Sequence, residues 1–244
     1  MDDSEVLSRR ALLGGGAVLA TLAATRSLSQ APANRSDERF PPLRSFDAKR
    51  RLLIKGGTII SMDARVRDWA RGDVLIDGSK ITQVGANIAA SGAQVIDASS
   101  MIVIPGFVDC HRHSWEGQLR RINPNAQTLD EYSNATHLSF GTFYRPQDIY
   151  AGNYLTAIGC IDSGVTCIID NSHNSRSPEH SDAAVEALMH SGIRAVHASG
   201  APQVQTVNYA RQWPGDLERL QRKYFASSDQ LLTLRMFSAV NRDN

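Results

Sequence analysis

Two histidines separated by one residue are the strongest chemical signal in this sequence. His111 and His113 follow a strand that the apolar pattern predicts over Phe107–Asp109. Side chains two residues apart on a strand point to the same face, so the two imidazoles would enter one space. Imidazole nitrogen is a ligand that suits Zn²⁺ and Fe²⁺. The spacing therefore predicts a site for one divalent metal ion, zinc or iron.

An isolated His-x-His pair also has a plainer interpretation, in which one ring packs against the core and the other is solvated. The elements that follow the pair favour the metal site. Helix patterns over 147–162, 178–191 and 216–225 alternate with strand patterns over 165–170, 193–198 and 231–239. Such alternation indicates a parallel sheet, in an open doubly wound fold or a (β/α)₈ barrel. Barrel enzymes carry their catalytic groups at the carboxyl ends of the strands, where the pair falls.

A β-rich region precedes the alternating region. Its short apolar runs are separated by Gly56-Gly57 and by Asp77-Gly78, and Asp-Gly between apolar runs is a strong hairpin signal. We therefore expect a small antiparallel sheet, a β-domain, over residues 51–104. Residues 105–244 would form the larger α/β domain beside it.

The amino terminus has the pattern of an export signal. Arg9-Arg10 precedes a short apolar run over 11–24, and Ala31-Pro32-Ala33 offers the small residues that a signal peptidase requires. This resembles a twin-arginine signal, which predicts removal of residues 1–33, a linker over 34–50 and periplasmic localisation through the twin-arginine export machinery. The alternative is a disordered arm with a chance Arg-Arg, in a cytoplasmic protein. No run reaches the roughly 18 apolar residues of a membrane span.

The composition of the chain limits the classes of molecule that it is expected to bind. The chain of 244 residues has 26 Lys and Arg against 25 Asp and Glu, so its net charge is +1. This balance gives no basic surface for nucleic acid and favours a small-molecule substrate. No Gly-x-Gly-x-x-Gly follows the first strand of the α/β region, which argues against a dinucleotide site. Cys110, Cys160 and Cys167 lack the close spacing of structural zinc sites and are interpreted as buried thiols.

The segment around the two histidines resembles a known family. Pro105–His113 (PGFVDCHRH) is similar to the Pro-Gly-x-x-Asp-x-His-x-His segment of the metal-dependent amidohydrolases. The runs at 55–60 and 72–78 resemble the amino-terminal β-sandwich of that family. The segments 113–121 and 170–173 resemble its branch of cytosine deaminases and triazine hydrolases. The resemblance extends over residues 51–244.

The resemblance implies a hydrolase of non-peptide carbon–nitrogen bonds, a deaminase or amidohydrolase acting on a small heterocyclic substrate with metal-activated water. His111 and His113 match the first two metal ligands of the family, whereas the ligands of its fifth and eighth strands have no matching position. We therefore expect the amino-terminal half of a (β/α)₈ barrel behind a β-sandwich, truncated, inactive alone and able to form homo-oligomers. The alternative is a non-catalytic half-barrel remnant or binding module.

Further candidates surround the pair. Asp109 and Asp170 would orient a ligand histidine, although Asp109 could equally cap the strand end. Trp115 and Gln118 lie in the long segment 114–145 and would shape substrate binding, with a hydrophobic plug as the alternative for Trp115. His173 would contact substrate or be solvated. The remaining histidines are expected elsewhere: His197 in the core, and His137, His180 and His190 on loops or helix surfaces.

Overall fold

The computed structural model describes residues 50–122, 125–203 and 215–237. These residues form a five-stranded sheet, followed along the chain by a four-stranded parallel sheet with helices between its strands. The predicted export signal over 1–33 lies outside the described residues, as does the predicted linker apart from Arg50. None of the helices in the described part of the chain has the length and apolarity that crossing a membrane requires.

The first sheet is mixed. Its strands are β1 (Arg51–Ile59), β2 (Trp69–Asp77), β3 (Lys80–Gly85), β4 (Gln94–Asp97) and β5 (Ile102–Val103). The β2–β3 hairpin predicted at Asp77-Gly78 is confirmed. The expectation of a purely antiparallel sheet is wrong, because β4 and β5 both pair with β1 in parallel. β3 lies at one edge of the sheet and β4 lies on the far side of β1, so the connection between them crosses the sheet. β4 then runs in the same direction as β1.

Gly56-Gly57 lies inside β1 instead of separating two strands. Gly56 has a φ of 77°, which glycine adopts without strain, and the pairing of β1 with β2 shifts register between Ile54 and Gly57. A Cβ on Gly57 would lie 2.7 Å from a methyl carbon of Val103. The two glycines therefore form a bulge that lets β5 approach β1 closely.

The second sheet contains β6 (Phe107–Arg112), β7 (Val165–Ser172), β8 (Arg194–Gly200) and β9 (Leu232–Phe237), all parallel and in that order. In the described residues, four α-helices accompany it: α1 (Leu129–Thr136), α2 (Pro146–Asp162), α3 (Pro178–Ser191) and α4 (Gly215–Tyr224). The predicted alternation of strands and helices is confirmed as a parallel α/β arrangement. The long segment 114–145 contains α1 and two 3₁₀ helices, Ser114–Leu119 and Phe140–Phe143.

Local sequence explains where the long helices begin and end. Pro146 is the first residue of α2, and the Asp148 carboxylate accepts a hydrogen bond from the Arg145 backbone at 2.8 Å. α3 also begins at a proline, and Gly192, which follows its last residue, has a left-handed φ of 74°. α2, α3 and α4 pack on the sheet through an apolar core that includes Ala157, Ile168, Val185, Leu188, Ala195 and Leu220.

The three cysteines are free thiols in different environments. Cys160 is buried and Cys167 is half-buried, whereas Cys110 is exposed. The expectation of a buried thiol is therefore wrong for Cys110. This residue lies on β6, the edge strand of the parallel sheet, whose residues are exposed or half-buried.

Candidate metal centre

The two histidines of the His-x-His segment face each other at the carboxyl end of β6. Nε2 of His111 lies 3.3 Å from Nε2 of His113, and the two rings are nearly perpendicular at 86°. Two nitrogens bound to one tetrahedral zinc ion at about 2.0–2.1 Å are roughly 3.3 Å apart. The two residues therefore fit a shared ion. Their assignment as metal ligands stays a prediction.

The neighbouring strand β7 orients the ring of His113. Nδ1 of His113 lies 3.1 Å from the carbonyl oxygen of Asn171 and 2.7 Å from Nε2 of His173. A hydrogen on Nδ1 can be donated to either acceptor, which leaves the lone pair of Nε2 free to face His111. This is the tautomer that coordination through Nε2 requires.

His173 lies behind His113 and is fully buried. Burial, reinforced by His113 and His137, lowers the pKa of His173 to about 2, so the ring is neutral. Its Nδ1 has no hydrogen-bond partner among the residues that the structure describes. The solvated alternative for His173 is therefore wrong, and the predicted contact with substrate stays a prediction.

Glu116 and His137 join this site, although their spacing in the sequence gives no motif. The Glu116 carboxylate accepts a hydrogen bond from the Tyr132 hydroxyl at 2.6 Å and lies 3.0 Å from Nε2 of His137. Burial and the carboxylate raise the pKa of Tyr132, which keeps its hydroxyl protonated as the donor. Glu116 is thus held from two sides by residues of α1 and its carboxyl end.

The expectation that His137 lies on a surface is wrong. His137 caps the carboxyl end of α1, and only 6% of its surface is exposed. Its ring packs 4.6 Å from the ring of His173 and 5.8 Å from that of Trp115, measured between centroids. α1 was not predicted from the sequence, and its packing brings His137 inside.

We call Glu116, His137 and His173 the Glu116 cluster. One ligand atom from each residue lies within 4.8 Å of those of the other two, which is a geometry that could hold a metal ion. The cluster adjoins the His111–His113 pair through the contact between His113 and His173. Each cluster residue comes from a different part of the chain.

Trp115 and Gln118 have different positions relative to the pair. Trp115 is 1% exposed, and its ring packs 5.1 Å from that of Tyr144, as the hydrophobic-plug alternative requires. Gln118 is half-buried, and its amide donates a hydrogen bond to the backbone carbonyl of Asp148. Gln118 also lines an open groove of about 880 Å³ beside His111. Substrate contact by either residue stays a prediction.

Asp109 and Asp170 both accept hydrogen bonds from backbone N–H groups next to the pair. Asp109 accepts a hydrogen bond from the backbone N–H of His111 at 3.1 Å and pairs with the Arg112 guanidinium. Partial burial raises the pKa of Asp109, but these bonds to His111 and Arg112 outweigh it, so the pKa is lowered overall. It does not bond to an imidazole of the pair, which fits the strand-cap alternative.

The carboxylate of Asp170 on β7 is fully buried and contacts both β8 and the segment that follows β6. It accepts a hydrogen bond from the backbone N–H of Ser114 at 3.2 Å, directly after His113. Its other oxygen lies 3.1 Å from Nδ1 of His197, which is buried in the core as expected. Asp170 thus anchors the chain at the exit of β6, next to the pair.

No protein-family model matches this chain. It is 32% identical over 143 residues to a 5-methylthioadenosine/S-adenosylhomocysteine deaminase of Thermococcus kodakarensis, covering 59% of this chain and 32% of the relative. It is 30% identical over 181 residues to a protein of the same name from Desulforamulus reducens, covering 68% of this chain and 40% of the relative. The chain thus spans well under half the length of these curated relatives.

Solved structures agree on the fold. A triazine hydrolase variant has a TM-score of 0.65 at 22% identity, covering 76% of this chain and 46% of that one. The atrazine chlorohydrolase of Arthrobacter aurescens, solved with zinc, has a TM-score of 0.61 at 22% identity, covering 76% and 46%. The predicted resemblance is confirmed, because deaminases are homologues of this chain and its fold is like that of triazine hydrolase.

Proposed function

We propose that this chain belongs to an enzyme that hydrolyses a non-peptide carbon–nitrogen bond, with His111 and His113 as ligands of one divalent metal ion. The observation that carries the proposal is the 3.3 Å separation of their Nε2 atoms at the carboxyl end of β6. This separation suits a shared zinc or iron ion. The deaminase relatives favour the enzyme over a non-catalytic binding module.

The chain's own residues prepare the site. The carbonyl of Asn171 and the ring of His173 hold the His113 imidazole with Nε2 towards His111. Asp170 fixes the backbone that follows His113. The open groove gives a small molecule access to the pair from the solvent side. When bound, a divalent cation supplies Lewis-acid polarisation of water and of the carbon under attack.

An amino-substituted purine is the substrate class that we propose to test first. The curated relatives are named as deaminases of adenosine derivatives. We assign Gln118 to substrate contact, because it lines the groove. His173 is fully buried and is not among the described residues that line the groove, so its contact with substrate stays a prediction. Trp115 would support the site by packing as a buried hydrophobic plug against the rings of Tyr144 and His173.

The parallel sheet, in this proposal, is half of a (β/α)₈ barrel, and residues 51–104 belong to the β-sandwich domain of the family. The likeness to triazine hydrolase over 76% of the chain supports this arrangement. Phe107 and Val108 are 57% and 66% exposed on the edge strand β6, so we propose that this edge is covered by further strands or by a second copy. Sedimentation velocity tests the second of these possibilities, because a second copy at this edge would make the chain sediment as a dimer.

The function is tested by ammonia release from adenosine derivatives. The zinc-loaded protein produced from its native gene is compared with its His111→Ala variant. Zinc-dependent ammonia release that the variant lacks supports the proposal. Release that continues at the same rate in the variant, or no release by either protein from any of the adenosine derivatives, contradicts it.

A further inference from the structure

The Glu116 cluster has the chemistry of a metal site in its own right. Two imidazoles and one carboxylate form a ligand set that zinc uses in catalytic sites. His137 and His173 are buried and Glu116 is half-buried, so the three groups meet in a place largely shielded from water. Nε2 of His137 lies 3.0 Å from a Glu116 oxygen, close to the roughly 3.3 Å between two ligands of one tetrahedral ion.

The buried ring of His173 supplies an independent observation. Its surface is 0% exposed, and its Nδ1 has no hydrogen-bond partner among the described residues. Buried polar atoms in folded proteins are nearly always partnered, by protein, water or an ion. Trp115 and Phe237 pack against the ring and offer it no acceptor through their ring carbons. A metal ion that takes the lone pair of Nδ1, with the ring hydrogen on Nε2, would give this nitrogen its missing partner.

We propose that Glu116, His137 and His173 form a second binding site for a divalent transition-metal ion, distinct from the His111–His113 pair, and that the two sites compete. The class of ion is the one that imidazole and carboxylate share, represented by Zn²⁺ and Co²⁺. The cluster site stands on its own contacts. The competition alone rests on the proposed metal pair.

Competition follows from the hydrogen bond between His113 and His173. A neutral imidazole has one N–H and one lone pair. When His113 offers Nε2 to an ion, its Nδ1 carries the hydrogen, and Nε2 of His173 can accept it at 2.7 Å. An ion at the cluster takes a lone pair of His173. That either consumes Nε2 or moves the hydrogen onto it, and both outcomes end the donation from His113 to His173, so that the carbonyl of Asn171 is the remaining acceptor.

Loss of such a supporting hydrogen bond typically weakens metal affinity by about 10–100-fold. Occupation of the cluster should therefore weaken binding at the pair by at least about tenfold, and the reverse should hold by thermodynamic reciprocity. A chain with both sites intact would bind one ion tightly and a second one much more weakly.

The experiment titrates Co²⁺ into metal-free full-length chain and follows both the visible absorption of the ion and the heat of binding. Four variants are compared with the wild type: His111→Gln, which removes the pair; Glu116→Gln, which removes the cluster carboxylate; the two combined; and His190→Gln as a histidine control on α3. His137→Gln serves as a second cluster variant if Glu116→Gln does not fold. Far-ultraviolet circular dichroism verifies folding of every variant.

We expect the His111→Gln variant to keep a Co²⁺ site of about one ion per chain, and the combined variant to lose it. In the wild type, the second Co²⁺ ion should bind at least about tenfold more weakly than the single Co²⁺ ion binds to the His111→Gln variant. Absence of Co²⁺ binding in folded His111→Gln, or residual binding that Glu116→Gln does not change, overturns the cluster site. Loss of binding in Glu116→Gln alone would instead contradict the metal pair of the proposed function. Two equal, independent ions in the wild type would overturn the competition.

Discussion

Nδ1 of His113 lies 2.7 Å from Nε2 of His173. This contact joins the end of β6 to the end of β7 and sets which nitrogen of His113 faces His111. It makes the fully buried His173 a positioning residue for the pair. The contact also links the pair to the Glu116 cluster.

Replacing His173 by phenylalanine removes the acceptor of this contact and keeps a ring of similar shape. We expect the affinity of the pair for zinc to fall about tenfold, at the low end of the effect of such supporting groups, because the carbonyl of Asn171 can still accept the hydrogen. Competition with a fluorescent zinc chelator measures the affinity. The His190→Phe variant is the control, and equal affinities in the two variants would contradict the positioning role.

The stability of the metal-free chain should depend on pH through His173. Its pKa falls from 6.5 in the unfolded chain to about 2 in the folded chain. The folded state therefore disfavours the proton, so this contribution to stability is present above pH 6.5 and is lost progressively as the pH falls below it. Urea unfolding in the presence of a chelator at about pH 7.5 and about pH 5 measures the loss. His173→Phe should show a smaller loss, and an unchanged pH dependence would count against this explanation.

Local periodicity explains which part of the site could be predicted. His111 and His113 share a face because strand side chains alternate, and this needs no knowledge of the rest of the fold. The same holds for the helices that begin at Pro146 and Pro178 and for the hairpin at Asp77-Gly78. These features depend on residues within one element or one turn.

The Glu116 cluster depends on distant contacts, and the sequence could not predict it. Glu116 and His137 are 21 residues apart, one in the 3₁₀ helix Ser114–Leu119 and the other at the carboxyl end of α1, and both meet His173 only in the folded chain. The short helix α1 has a weak apolar pattern, so its position follows from tertiary packing. The parallel pairing of β1 with β4 was missed for a related reason, since a crossing connection leaves no local pattern.

The core of the parallel sheet should be sensitive at Leu188. This side chain is 0% exposed and packs in the apolar core between α3 and the parallel sheet. Leu188→Ala should reduce the free energy of unfolding by about 2–5 kcal/mol, since it leaves a cavity. Leu155, which is 53% exposed on α2, is the matched control, and Leu155→Ala should change stability by less than about 1 kcal/mol. Equal losses in urea unfolding would show that the core is not where we place it.

Export depends, in our proposal, on Arg9-Arg10, which lie outside the described residues. Replacing both arginines by lysine keeps the charge and should leave the precursor in the cytoplasm, because the twin-arginine pathway reads the paired arginines. Fractionation of the native host, with immunoblotting for precursor and shortened forms, measures the distribution. An unaltered distribution would falsify the signal.

Coordination of the metal ion by Nε2 of His111 and Nε2 of His113 can be measured directly. Histidine labelled with ¹⁵N allows each ring nitrogen to be followed by NMR while zinc is added to the Glu116→Gln variant, in which the cluster lacks its carboxylate. We predict that the first equivalent of zinc shifts the Nε2 resonances of His111 and His113 and leaves Nδ1 of His113 protonated. Zinc binding that leaves both Nε2 resonances unchanged, or no binding at all, would contradict the account.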